Sequence, residues 1–227
     1  MIEIQNLTKV FQEQTVLQNI NATFDAGLIH GVIGKNGAGK TVLLRLLCGL
    51  MHPSKGQVIV DGKQLGKDVD FAPDAGIIIE TPCFLPYLSG FQNLKELASI
   101  RNIISKEEIA EAMEQVKLDP SSRKHVGKYS LGMRQRLGIA QAIMERPRYL
   151  ILDEPMNGLD TQGMEDVREL LQKQKETGVT VILASHSMED IRLLCDTVHR
   201  IQDASLIPCT TESVSYTHLR AHETVLD

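Results

Sequence analysis

Residues 34–41 read Gly34-Lys35-Asn36-Gly37-Ala38-Gly39-Lys40-Thr41 and fit the spacing G-x-x-x-x-G-K-[ST]. Glycines at these intervals let successive backbone N–H groups converge on phosphate oxygens. A helix beginning at Lys40 would add its N-terminal dipole. Lys40 would reach the β- and γ-phosphates of a nucleoside triphosphate, and the Thr41 hydroxyl would ligate Mg²⁺. A second constellation is the apolar run Tyr149-Leu150-Ile151-Leu152, which ends in Asp153 and Glu154. Asp153 is placed to hold the metal, and Glu154 to polarise an attacking water. His186 closes a third apolar run, at the kind of strand end where ligands of parallel sheets gather. The bland alternatives are a chance glycine turn, a strand ending in solvated acids and a structural histidine. Their coincidence in one chain, with a strand before and a helix after the glycines, favours phosphate chemistry.

These residues need elements to hold them. Residues 1–25 alternate and are rich in β-branched side chains, which predicts extended chain. Leu28–Ile33 is a short apolar run, predicting a buried strand that feeds the glycines. Residues 40–50 are apolar on nearly every face, predicting a buried helix that stops before Pro53. Gln57–Val60 followed by Asp61-Gly62 predicts a strand and a turn. The stretch 90–145 is helical and more polar. Within it Ser105-Lys-Glu-Glu108 forms a capping box ahead of an Ile109, Met113, Val116 stripe, and Ser130 is a plausible N-cap for 131–145. Tyr149–Leu152 and Val179–Ala184 read as central parallel strands. The helix between them would run over 161–177, with Asp160 as N-cap and Gly178 as C′. The fold class is therefore α/β, with a helical insertion.

The chain has 227 residues, 42 % of them hydrophobic and 23 % charged, with 24 Lys+Arg against 29 Asp+Glu. These are globular proportions, long enough for a substantial core. A net charge of −5, with 4 % aromatics, argues against bulk nucleic-acid binding and a base-stacking platform. The four cysteines, at 48, 83, 195 and 209, have no metal or redox spacing, so they read as small hydrophobes of a reducing compartment. No signal peptide or membrane-length apolar run is present in the sequence, so a cytoplasmic location is expected, with any membrane role exercised through a partner.

Together these motifs resemble the ATP-binding-cassette ATPases over residues 1–205, with every segment in the family's order. Ser130-Leu-Gly-Met-Arg-Gln-Arg136 is similar to the family signature in its degenerate exporter form, and Asn157-Gly-Leu-Asp160 to the loop after the metal strand. The resemblance implies a P-loop core with an antiparallel β-subdomain and a helical subdomain at about 82–140. It places His186 at the family's switch histidine and Phe11 at the aromatic that stacks on adenine. Nucleotide contacts fall on Phe11, Val16, Gly34, Lys35, Asn36, Gly37, Ala38, Gly39, Lys40, Thr41, Val42, Ser130, Leu131, Gly132, Met133, Gln135 and Asp160. Catalysis falls on Glu154, His186 and Lys40. The metal falls on Thr41, Asp153 and Glu80. ATP and Mg²⁺ are the implied cofactors. Two copies would pair head to tail, with ATP between the P-loop of one and the signature of the other, at the inner membrane face on a permease.

Glu80 is a departure, because the family usually carries Gln there, and a carboxylate cannot donate an amide hydrogen bond. With Thr81-Pro82 and Phe84-Leu85-Pro86 it is similar to the subgroup that exports bacitracin-like and lantibiotic peptides. The rival reading is an ATPase of the same type that transports nothing and serves as a ribosome, repair or assembly factor. It is less favoured, because the chain has one cassette and no heptads over 42–148. After Pro208 the periodicity is lost, and Val214–Thr224 resembles a translated transposon-based sequencing adapter. The expectation is an ATPase domain over 1–212 and a non-native tail over 213–227. The competing reading, a metal segment at His218 and His222, is weaker than an eleven-residue match.

Overall fold

The computed structural model describes residues 1–209. The adapter-like segment, Glu212, His218 and His222 lie outside the described residues. The first sheet is built from β1 (Ile2–Phe11), β2 (Gln14–Phe24), β4 (Lys55–Val60) and β5 (Lys63–Gln64), antiparallel in the order β2-β1-β4-β5. The second contains β3 (Ile29–Ile33), β6 (Ala75–Ile78), β7 (Tyr149–Asp153), β8 (Thr180–Ala184), β9 (Thr197–Gln202) and β10 (Ser205–Cys209). Its order is β10-β9-β3-β8-β7-β6, parallel except for β10.

Helix α1 (Lys40–Cys48) lies between the two sheets. Leu43, Leu44, Leu46 and Leu47 are all within 1 % of complete burial. Each contributes about 2 kcal/mol of hydrophobic stabilisation, so this nine-residue helix is held by packing rather than by propensity. It ends at Gly49, whose φ of 79° only glycine adopts easily.

The second sheet divides the core because its side chains alternate. Tyr149 and Ile151 of β7, with Ile182 and Ala184 of β8, face α1 and the antiparallel sheet. Leu150, Leu152, Val181 and Leu183 face the other way, toward the helices. There α2 (Gly90–Arg101), α3 (Lys106–Gln115) and α4 (Leu131–Ile143) form a lobe inserted between β6 and β7. Residues 79–89 form the connection into that lobe and carry no helix or strand. Ser89 and Ser105 both make full capping boxes. Helix α4 packs so close to β6 that a Cβ at Gly76 would overlap the Ala142 carbonyl. Helices α5 (Thr161–Glu176) and α6 (Met188–Leu194) complete the same face. Asp160 caps α5 by accepting from Gly163 N at 2.9 Å, and Gly178 follows the helix at φ 89°.

Among the described residues all four cysteines are free, and burial pushes the thiols of Cys48 and Cys195 up to about 12. The β9–β10 hairpin turns through Asp203 and Ala204 at φ 48° and 60°. Both angles are left-handed, as a type I′ turn requires, and Ala204 carries a Cβ there at a cost of about 1 kcal/mol. Replacing Ala204 by Gly is expected to raise stability by up to about 0.5 kcal/mol after the extra chain entropy of glycine is deducted. The midpoint of thermal unfolding should therefore rise by up to about 2 °C; a downward shift would show that the turn is not strained.

Candidate nucleotide site

Strand β3 is buried along its whole length and delivers the chain to Gly34 at the C-terminal edge of the parallel sheet. Gly37 and Gly39 then take φ values of 77° and 107°, which turn the backbone through a bend that L-residues resist. A Cβ at Gly39 would also press on Val16 at 2.9 Å, so β2 and the loop meet there without room for a side chain. Lys40 opens α1 directly after this bend. The helix N-terminus, with its free N–H groups, therefore points into the cavity.

The Lys40 Nζ donates to the Gly34 carbonyl at 2.8 Å, arching over the loop. The Thr41 hydroxyl donates to Asp153 Oδ2 at 2.6 Å. That bond joins the first turn of α1 to the last residue of β7, so the two halves of the sequence pattern meet in space. Glu154 follows at φ 48°, and its Oε2 lies 2.7 Å from His186 Nδ1. The His186 backbone N–H also donates to the same oxygen, at 3.3 Å. The Glu154 side chain is 21 % exposed and that of His186 63 %, so this pair stands at the solvent edge of the site.

The loop borders a cavity of about 1000 Å³. Of the residues expected to contact nucleotide or metal, Phe11, Val16, Lys35, Asn36, Gly37, Gly39, Lys40, Thr41, Val42, Glu80, Leu131, Gln135, Asp153 and Glu154 line it. Phe11 is 40 % exposed, with the Lys9 ammonium 4.8 Å from its ring centroid, so a flat apolar face stands at the cavity mouth. Gly34, Ala38 and His186 instead line a second cavity of about 710 Å³ on the other side of the loop. Ser130, Gly132, Met133 and Asp160 line neither of these cavities.

Ser130 caps α4 by accepting from Met133 N at 3.2 Å, which leaves its hydroxyl hydrogen as a donor. Gln135 donates to the Pro155 carbonyl at 3.0 Å, and a Cβ at Gly132 would lie 2.9 Å from the Gly158 carbonyl. The first turn of α4 is thus clamped against the loop that follows Glu154. Glu80 reaches the cavity wall, but its carboxylate accepts from Arg45 Nη2 at 2.7 Å and does not join Thr41 and Asp153. The sequence reading missed Gln14, Thr81 and Arg45. For Arg45 a signal existed: it stands four residues after Thr41, on the same helical face.

A hard divalent cation needs oxygen ligands, and Mg²⁺ is commonly held by one or two carboxylates together with substrate phosphates. Thr41 and Asp153 supply two such oxygens beside a loop built for phosphate. No group of three or more His, Cys, Asp or Glu among the described residues could hold a metal alone. The residues present therefore fit Mg²⁺ arriving with a phosphate ligand.

Fold and site together define a P-loop nucleotide-binding ATPase. A family model described as "ABC transporter" matches residues 17–157. The ABC transporter ATP-binding protein YybJ of Bacillus subtilis (strain 168) is 45 % identical over 95 % of this chain and 98 % of its own length. The bacitracin transport ATP-binding protein BcrA of Enterococcus faecalis is 41 % identical, over 91 % of this chain and 68 % of its own. The lantibiotic transport ATP-binding protein SrtF of Streptococcus pyogenes is 35 % identical, over 91 % and 89 %. A dimeric, post-hydrolysis structure of the ATP-binding cassette MJ0796, bound to ADP and phosphate, superposes with a TM-score of 0.82 at 20 % identity. It covers 93 % of this chain and 99 % of that one. The chain belongs to the ATP-binding proteins of ABC transporters, a family of ATPases.

The Glu154–His186 pair generates a prediction. Glu154→Gln is expected to lower ATP turnover by roughly a hundredfold or more, the usual scale for losing a general base, while ATP binding persists. Phosphate release and nucleotide titration check this; turnover near the native rate would remove Glu154 from catalysis.

Proposed function

We propose that this chain is the ATP-hydrolysing subunit of an exporter that moves antimicrobial peptides of the bacitracin or lantibiotic type through a separate membrane subunit. The likeness to BcrA and SrtF over 91 % of the chain carries this reading. The carboxylate Glu80 supports it, standing where the wider family has an amide. No helix among the described residues is long and apolar enough to cross a membrane, so transport would need a permease that holds the chain at the inner membrane face.

Each residue has a task in this reading. The loop N–H groups and Lys40 bind the phosphates of ATP, and Phe11 and Val16 carry the base. Thr41 and Asp153 would hold Mg²⁺, which when bound would neutralise phosphate charge, while the Glu80 carboxylate on the same wall is engaged by Arg45. Glu154 Oε2 accepts a proton from the attacking water, and His186 fixes that carboxylate's orientation. Ser130 and the N–H groups of Leu131 and Gly132 head α4 as free donors. They would complete the site of a second copy in a head-to-tail pair. Closure of that pair excludes water around Glu154.

The test is peptide susceptibility. Deleting the gene in its host is expected to sensitise cells to bacitracin or to a lantibiotic, and the native gene should restore resistance where Lys40→Ala does not. Glu80→Gln should lower resistance by a larger factor than it lowers nucleotide affinity. Unchanged susceptibility to every such peptide would move the reading to an ATPase that transports nothing.

A further inference from the structure

Glu80 and Glu154 occupy equivalent places. Strands β6 and β7 pair in parallel with Ile78 opposite Leu152, and each glutamate stands two residues further on. Both are left-handed, at φ 62° and 48°, and both line the cavity that holds Thr41 and Asp153. Their carboxylates are held differently. Glu154 is taken by His186, on the next strand's end, and Glu80 by the Arg45 guanidinium at 2.7 Å. Arg45 lies one turn beyond Thr41 on α1, the helix whose first residues line the cavity. Glu80 also begins the connection into the helical lobe. Two residues later Pro82 packs so tightly on α4 that a Cβ at Gly138 would overlap it.

The wall of the cavity thus carries three carboxylates, those of Glu80, Asp153 and Glu154. Such a wall repels a triphosphate unless its charge is offset. His186 fixes the orientation of the Glu154 carboxylate. A glutamine at position 80 would bring no charge to this wall, whereas a glutamate does. We propose that Arg45 is the positioning residue for Glu80, holding its carboxylate off the Thr41–Asp153 oxygens and cancelling its charge until a phosphate-bound divalent cation draws it in. The inference deepens the proposed ATP–Mg²⁺ site and rests on it.

The consequence is a specific link between Arg45 and the cation dependence of binding. With Arg45 removed, the freed carboxylate repels ATP when no divalent cation is present. With Mg²⁺ the same carboxylate has a cation to face, and the penalty shrinks. The pair is partly exposed, with side chains 35 % and 63 % accessible, so the effect is moderate, about threefold, within the coupling measured for exposed ion pairs.

The experiment is a double-mutant cycle on the full chain. The dissociation constant of a fluorescent ATP (the N-methylanthraniloyl derivative) is measured in EDTA and in Mg²⁺ for native protein, Arg45→Gln, Arg45→Lys, Glu80→Gln, Arg45→Gln/Glu80→Gln and Lys40→Ala. The expected result is that Arg45→Gln raises the ratio of the EDTA to the Mg²⁺ constant about threefold. Arg45→Lys keeps the native ratio, and Arg45→Gln has no effect on it when Glu80 is already Gln. A merely structural role for Arg45 would weaken binding equally in both media and both backgrounds, and that result overturns the proposal. An unchanged ratio overturns it too. If Lys40→Ala binds as well as native protein, the phosphate site itself is misplaced and this inference falls with it. If Lys40→Ala weakens binding and the ratio does not move, only the role of Arg45 fails.

Discussion

Helix α1 is held between two sheets, and the rest of the site depends on that. Its leucines fill the space between an antiparallel and a parallel sheet and are buried, while the Thr41, Val42 and Arg45 edge stays partly exposed. The end that stays open is the N-terminus, where free N–H groups and the helix dipole favour an anion. The glycines before it supply the bend that turns β3 into α1 within a few residues. A helix packed on one side only could tilt. This one is clamped from both, which fixes Thr41 against Asp153 to within a single hydrogen bond.

The second requirement is negative charge at the ends of neighbouring strands. Parallel strands β6, β7 and β8 bring Glu80, Asp153, Glu154 and His186 to one edge. Two of these residues are left-handed and not glycine, a conformation that costs about 1 kcal/mol each. The strain is tolerated because the flanking strands are wholly or largely buried and over-determine the backbone. Each acid then finds its own partner: Thr41 for Asp153, His186 for Glu154 and Arg45 for Glu80. An edge with this much acid would take a phosphate ligand only with positive charge beside it, and Lys40 and Arg45 are basic side chains placed there.

The parts of the site legible in the sequence are those whose chemistry is local. The loop 34–41 encodes its own bend, and Tyr149–Asp153 is an apolar strand with an acid at its tip. Capping by Ser105, Ser130 and Asp160 is legible because each acceptor lies three residues from the N–H it serves; Ser89 has the same spacing, so its capping box is equally local. The sheet order was not legible. Strands β3, β7 and β8 are apolar on both faces, so nothing in their pattern says which neighbours which. The Arg45–Glu80 pair joins residues 35 apart in sequence and needed the fold to reveal it. Ser130, Gly132, Met133 and Asp160 do not line either cavity at the P-loop, although the motif assigns them to nucleotide. Leu131 and Gln135 of the same segment do line the larger cavity.

The proposed function requires that two copies share each nucleotide site, and mixing two inactive variants probes that requirement. Lys40→Ala removes a P-loop contact, and Ser130→Arg blocks the donors at the head of α4. Neither variant alone should hydrolyse ATP in a symmetric pair, since both sites of each pair are damaged. In a mixed pair one site joins an intact P-loop to an intact signature turn, so the account predicts that ATP hydrolysis reappears on mixing. Hydrolysis that stays at the level of the separate variants, with mixed pairs shown to form, would contradict it.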